Sequence, residues 1–343
     1  MNEAELLGRG PQLRILHELL GRLPDAGGAM VLQGGPGVGK SALLRAVAER
    51  ARAAGWRLLE VTGGADDTPF SGLRTLLRPM FGTADSLPAG QGEILRAAFA
   101  AGSGPPPETS RVALAAFNLL TARAAEQPTV LIADDTTRLD GPTRDVLAFM
   151  ARRASDNPIV VLAALRGGRT LPGVPVLDVL ALDEPSARRL LARHADALPQ
   201  AVRERILGEA FGNPLALVEL PAAWHPTGPP GSWAHLPVNA TLASAFATGL
   251  GELPDRTRDA LPADERALLL DTLEAWFDSG GSAGEAAKVL YVHPNTVRTR
   301  LRRIAERTGR SLTDPRGITE LSLALRAVRQ TPRPPSSEST GAN

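Results

Sequence analysis

The sequence predicts a two-part architecture. An α/β domain with a parallel five-stranded sheet, helices on both faces and a helical lid comes first, and an all-α domain containing a helix-turn-helix follows. Three observations carry this. Short apolar runs alternate with helical patterns up to about residue 225, a glycine-rich loop directly follows the first of those runs, and three apolar helical patterns, the last of them basic, crowd together near the C-terminus.

The runs at Ala29–Gln33, Arg57–Thr62, Thr129–Asp134, Ile159–Leu165 and Val174–Leu180 have strand length and the nearly unbroken apolar character of strands buried on both faces. Helical stretches such as Ala42–Ala54 and Thr143–Arg153 lie between them, and this alternation implies a parallel sheet covered by helices. Pro105-Pro106-Pro107 marks a loop, and a helical stretch from Pro185 to Leu220 forms the lid. The Pro- and Gly-rich segment His225–Pro237 is a linker, followed by a helix over Ala240–Leu253 and a junction near Pro262. The expected domains are 1–182 (core), 183–224 (lid), 225–263 (linker and connecting helix), 264–330 (helix-turn-helix) and a Pro/Ser-rich disordered tail over 331–343.

Composition narrows the function classes. The chain has 343 residues, 43% hydrophobic and 22% charged, an ordinary globular balance. Cysteine is absent, which excludes disulfides and thiolate metal sites, and the five histidines show no metal-ligand spacing. No apolar run is long enough to span a bilayer and no secretory leader is visible, so a cytoplasmic protein without membrane contact is expected. Lys40 and Lys288 are the only lysines; the arginine-rich, Ala/Gly/Pro-rich composition fits a GC-rich coding bias, so arginine placement matters more than its abundance. Placement is uneven: residues 280–330 hold ten basic and four acidic side chains, a net +6 in a chain of net +1. A basic module on a mildly acidic body suggests a polyanionic partner for the C-terminal end.

The loop Gly34-Gly35-Pro36-Gly37-Val38-Gly39-Lys40-Ser41 fits G-x-x-x-x-G-K-[ST] between an expected strand and an expected helix. Its glycines allow positive φ and let backbone N–H groups converge on phosphate oxygens, while the helix N-terminus at Lys40-Ser41-Ala42 adds partial positive charge. In this reading Lys40 reaches the β- and γ-phosphates and Ser41 ligates Mg²⁺. The run Val130-Leu131-Ile132-Ala133-Asp134-Asp135 is a buried strand ending in two carboxylates, at the strand end where open α/β sheets bind ligands. Asp134 is the expected Mg²⁺ holder, and Asp135 the group that orients or activates an attacking water. Asp140 is read as a helix cap. Two readings stay open for Arg166, after the fourth strand: a sensor of the γ-phosphate, or a surface arginine.

These residues carry a resemblance. The region from Leu6 to Arg258 resembles the STAND-class signal-transduction ATPases within the AAA group, and is closest to the ATPase half of large LuxR-type regulators. Leu7-Gly8-Arg9 with Gln12 is similar to the family's G-R-x-x-E element near the adenine, with glutamine in place of the acid. Gly212-Asn213-Pro214 is similar to its G-x-P element, whose proline approaches the base. The resemblance therefore implies ATP as the nucleotide and adds Gly8, Arg9 and Pro214 to the site. The chain has Asp134-Asp135-Thr136-Thr137-Arg138-Leu139-Asp140 where the family commonly has D-D-x-x-W-L-D.

In the C-terminal module Leu269, Leu273, Trp276 and Phe277 share one helix face, Ser282-x-x-Glu285 opens a second helix as a capping box, and Ala286, Ala287 and Leu290 point inward. After the turn Tyr291-Val292-His293, Pro294 fits the first position of a basic helix that runs from about Asn295 to Thr308. Val297, Leu301 and Ile304 follow helical spacing toward the core, which leaves Asn295, Thr299, Arg302 and Glu306 opposite, flanked by Arg298 and Arg303. Such a helix can read base edges and hold phosphates, with Thr296 and Arg300 at its flanks touching backbone; a merely solvated arginine face is the other reading. Val292-His293-Pro294-Asn295-Thr296-Val297-Arg298-Thr299-Arg300-Leu301-Arg302-Arg303-Ile304 and the residues to Gly309, with a closing helix over Gly317–Arg329, resemble the helix-turn-helix domain of PucR/CdaR-type regulators. Thr299 stands where that family usually has tyrosine.

The two resemblances do not normally share a chain, and the long sensor usual after the LuxR-type ATPase has no counterpart between them. Together they imply a transcription regulator in which an ATP switch, with slow hydrolysis resetting it, controls DNA binding. Duplex DNA, further copies of the chain and an unidentified inducer are the expected partners. The alternative is a working ATPase whose helical module binds protein or DNA without sequence preference.

Overall fold

A computed structural model describes residues 6–64, 66–88, 90–100, 106–166, 171–223, 263–279 and 282–312, with Gly317, Leu321, Ser322 and Leu325 beyond them. The expected linker, connecting helix and tail lie outside these residues, as does most of the expected closing helix, which is helical wherever it is described. The chain divides into two compact units, Met1–Leu180 and Ala181–Asn343.

The first unit is built on five parallel strands, β1 (Gly28–Gln33), β2 (Arg57–Thr62), β3 (Thr129–Asp134), β4 (Ile159–Leu165) and β5 (Val176–Asp178), in the spatial order β2-β3-β4-β1-β5. The central strand β4, IVVLAAL, is buried at every position. Successive residues on a strand face opposite sides of the sheet, so each central strand feeds two cores. Val31, Leu131 and Val161 enter one, with helices α3 (Ser71–Leu77), α4 (Gln91–Phe99), α5 (Thr109–Ala124) and α6 (Gly141–Ala151). Leu32, Ile132 and Leu162 enter the other, with α1 (Gly10–Leu20) and α2 (Lys40–Ala53). The sheet is thus covered on both faces, as the apolar runs predict. β5 is shorter than the expected Val174–Leu180 because it lies at the sheet edge and pairs only with β1.

Asp140 fastens the layer on the first face. Its carboxylate is buried and accepts hydrogen bonds from Thr143 N–H (2.8 Å) and Thr143 Oγ1 (2.6 Å) at the start of α6. It also accepts from Phe70 N–H (2.9 Å), Gly72 N–H (3.1 Å) and Ser71 Oγ (3.3 Å) at the start of α3. The expected cap of one helix therefore caps two, and it starts α6 at Gly141, two residues before the expected Thr143.

In the second unit α7 (Glu184–Ala195), α8 (Gln200–Ala210) and α9 (Pro214–Ala223) form one apolar cluster. Arg188 donates to Glu184 and to Glu204, joining α7 to α8, and its hydrogen bond holds the Glu204 carboxyl below the usual carboxylate range. A second cluster unites α10 (Ala263–Asp278), α11 (Ala283–Val289), α12 (Pro294–Thr308), Leu321 and Leu325.

Replacing Asp140 with alanine would leave buried N–H groups of two helices without acceptors. We expect Asp140→Ala to destabilise the protein by about 3 kcal/mol, read as a fall in the urea midpoint followed by circular dichroism. A change below about 0.5 kcal/mol would contradict the double-cap assignment.

Candidate functional site

Parallel strands point their C-terminal ends the same way, so the loops after β1, β3 and β4 emerge on one edge of the sheet. After β1 comes the glycine-rich loop. Gly37 (φ 72°) and Gly39 (φ 101°) adopt the left-handed region, and Gly39 caps α2, which starts at Lys40. Gly34 lies so close to the chain after β5 that a Cβ would sit 2.4 Å from the Val179 carbonyl oxygen. Val38 is buried in the core beneath and anchors the middle of the loop. Lys40 Nζ reaches back to donate to the carbonyls of Gly34 and Gly35, both at 2.8 Å. Ser41 and Ala42 lie half-buried in the first turn of α2.

Arg9, at the N-cap of α1, is 4% exposed, and its Nη2 donates to the Val38 carbonyl at 2.6 Å. The N-terminal element thus braces the loop itself, a contact its sequence did not reveal. Gly8 has φ 70°. Gln12, at the position where the STAND-class element has an acid, buries an Oε1 that accepts no hydrogen bond among the described residues.

After β3 come the two acids. Asp134, half-buried, uses one carboxylate oxygen for the Asp135 N–H at 2.8 Å. Asp135 turns sharply, with φ 47°, and the turn is fastened to β4 twice. Buried Thr136 donates to the Ala164 carbonyl at 2.7 Å. Arg166 donates two parallel bonds to Asp135, from Nε to Oδ1 and from Nη2 to Oδ2, both 3.1 Å. The two side chains are 18% and 16% exposed, so this fork pair is largely shielded from water. Arg166 thus turns its guanidinium toward the acid motif. Gly63 permits this closeness, since a Cβ there would stand 2.1 Å from the Asp135 carbonyl. Neither Thr136 nor Gly63 carries a local sequence signal, because both act through contacts across strands. Where the STAND-class sequences commonly have tryptophan, Arg138 donates its backbone N–H to the Asp135 carbonyl, and the turn closes without an indole.

In the second unit, Gly212 (φ 71°) presses against Leu182, and Asn213 Oδ1 accepts from Leu215 N–H and Ala216 N–H, so Pro214 opens α9.

The three C-terminal helices bury the expected residues: Leu269, Leu273 and Trp276 on α10, Ala286 and Ala287 on α11, and Val297, Leu301 and Ile304 on α12, with Phe277 and Leu290 partly buried against them. Ser282 Oγ accepts from Glu285 N–H, and His293 caps α12 by accepting from Asn295 N–H. Asn295, Arg298, Thr299, Arg302 and Arg303 are exposed and Thr296 is half-buried; Arg298 donates to Asn295 Oδ1 at 2.8 Å. Arg300 turns the other way. It is half-buried and donates to Thr272 Oγ1 on α10, so it ties α12 to its own module.

Comparison with known proteins completes the picture. Residues 5–162 match the family described as AAA ATPase domain, and residues 269–327 match the PucR C-terminal helix-turn-helix domain. The chain joins an AAA ATPase domain to a PucR-type helix-turn-helix domain. An uncharacterized protein of Mycobacterium tuberculosis is 48% identical over 62 residues, which is 18% of this chain and 15% of that protein. The purine catabolism regulatory protein of Bacillus subtilis is 46% identical over 61 residues, 18% and 12% of the two chains. The chain therefore spans only a small part of these relatives. Among solved structures, AMPPCP-bound DnaA from Aquifex aeolicus superposes with a TM-score of 0.40 at 15% identity, over 92% of this chain and 93% of that one. A STAND protein with a tetratricopeptide repeat sensor from Pyrococcus horikoshii gives 0.39 at 17%, over 91% and 44%. These superpositions are too loose to add to the fold described above.

The Gly34 contact is with backbone, which cannot swing aside. We expect Gly34→Ala to cost about 2 kcal/mol of stability, visible as a lower melting temperature. Gly64→Ala, where a Cβ meets nothing within 4 Å, should melt like the parent protein. Equal melting of both variants would show that the loop does not pack as described.

Proposed function

We propose that the protein is a cytoplasmic transcription regulator in which ATP bound at the loop Gly34–Ser41 controls the binding of duplex DNA by α12. The observation that carries this reading is the presence, in one chain, of a phosphate-type loop with an acid pair on the same sheet edge and of a helix-turn-helix whose second helix turns polar and basic residues outward.

At the ATPase site, the glycine-rich backbone and the start of α2 would bind the phosphates, and Lys40 would exchange the Gly34 and Gly35 carbonyls for β- and γ-phosphate oxygens. Ser41 and Asp134 would hold Mg²⁺, which neutralises charge on the phosphates. The donor set fits a cation of this kind, a hydroxyl and a carboxylate to be completed by phosphate and water, and the described residues contain no cage of three or more acids or histidines. Arg166 would exchange Asp135 for a γ-phosphate oxygen, and the freed carboxylate would orient a water for slow hydrolysis. Gly8 and Arg9 would belong to the expected adenine side. ATP acts as a switch only through unequal affinity for two forms of the protein.

At the other end, Asn295, Thr299 and Arg302 would meet base edges, and Thr296, Arg298 and Arg303 phosphates. One helix-turn-helix offers few base contacts, which favours a homo-oligomer binding paired half-sites.

Selection of duplexes from a random pool by the purified protein, with and without ATP and Mg²⁺, tests the reading. We expect a consensus whose recovery depends on ATP, and a Lys40→Ala variant that binds ATP at least a hundredfold more weakly (about 2.7 kcal/mol) and no longer responds to it. A pool without consensus, together with brisk ATP turnover, would favour an ATPase whose helical module binds protein or DNA without sequence preference.

A further inference from the structure

The chain's only tyrosine stands in an uncommon place. Tyr291 comes just after Leu290, the C-cap of α11, and the turn closes as a two-bond helix stop: Tyr291 N–H donates to the Lys288 carbonyl at 3.3 Å, and Val292 N–H to the Ala287 carbonyl at 3.0 Å. This stop requires its first non-helical residue to be left-handed, a conformation that favours glycine. Tyr291 adopts it, with φ 53°. Among the described residues of the same module, glycine stands at the left-handed end of α12, Gly309, with φ 63°. Tyr291 is also 96% exposed, and Val289 beside it is 63% exposed. A strained backbone and a bare aromatic ring are two costs that the fold of the module does not recover, since neither side chain enters its core.

We propose that Tyr291 is an anchor for the DNA backbone. The inference rests on the reading that α12 enters a DNA groove. Tyr291 lies three residues before Pro294, where α12 begins. In a helix-turn-helix the first residues of the second helix point toward the bases, so the turn that leads into it lies beside the phosphates. A tyrosine hydroxyl donates well to a phosphate oxygen, and the ring and the Val289 side chain offer apolar surface to a deoxyribose. The position thus presents what a sugar-phosphate strand accepts, close in sequence to Asn295 and Arg298 in the first turns of α12.

The test uses the full chain and two fluorescein-labelled duplexes, one of the selected sequence and one of mixed sequence. Tyr291→Gly suits the left-handed backbone, so it should melt at or above the parent temperature while binding both duplexes about tenfold more weakly, the scale of one hydrogen bond to a charged group. Tyr291→Phe, which keeps the ring, should show most of that loss. The salt dependence of binding should be unchanged, because no charge is removed. Parent-like binding by Tyr291→Gly overturns the inference alone. Loss of DNA binding that tracks loss of oligomer in sedimentation also overturns it, placing Tyr291 against a second copy of the chain. If the parent protein binds neither duplex, the DNA reading fails and the inference with it.

Discussion

The position of β4 between β1 and β3 is the constraint on which the ATPase domain depends. Parallel pairing sends the phosphate-type loop, the acid pair and Arg166 to a single edge, and the burial of every β4 residue fixes the spacing between them. Had any of these strands run antiparallel, its loop would emerge at the opposite edge. The close contacts then refine the arrangement: Gly34 against Val179, Gly63 against Asp135, Thr136 on Ala164 and Arg166 on Asp135. Each joins residues distant in sequence, and each rests on a strand end already placed.

The fork between Arg166 and Asp135 gives this edge a definite resting chemistry. Two parallel charge-assisted bonds between largely shielded groups hold the carboxylate in one orientation. Removing either partner would leave the other charge poorly solvated. Lys40 has the same character, engaged with loop carbonyls that a phosphate could replace. Lys40 and Arg166 are thus each engaged by oxygen acceptors of the chain itself.

Much of this was legible in the sequence, for reasons that differ by element. β3 and β4 begin and end where their apolar runs do, because strands buried on both faces leave little room for polar residues, and β2 keeps its expected bounds at the sheet edge, where Glu60 and Thr62 are exposed. Val297, Leu301 and Ile304 are buried as their helical spacing requires. What escaped is tertiary. The pairing of Arg166 with Asp135 depends on β3 and β4 being neighbours, and Arg300 looked like a flank of the outer face until Thr272 on α10 gave it a partner. The expected helical stretch Pro185–Leu220 proved to be three helices, divided at Pro199 and at the left-handed pair Phe211-Gly212. The conformation of Tyr291 follows from how α11 ends, which no periodicity reports.

The central claim is that nucleotide at the loop and DNA at α12 are coupled. Coupling between two ligands is reciprocal: whatever factor ATP applies to DNA affinity, DNA must apply to ATP affinity. The direct measurement is a calorimetric titration of the protein with a non-hydrolysable ATP analogue, alone and saturated with its selected duplex. The account predicts a change in nucleotide affinity of about fivefold or more, equal to the change in DNA affinity caused by the analogue. Identical nucleotide affinities in the two titrations would contradict it, and would leave two independent binding domains in one chain.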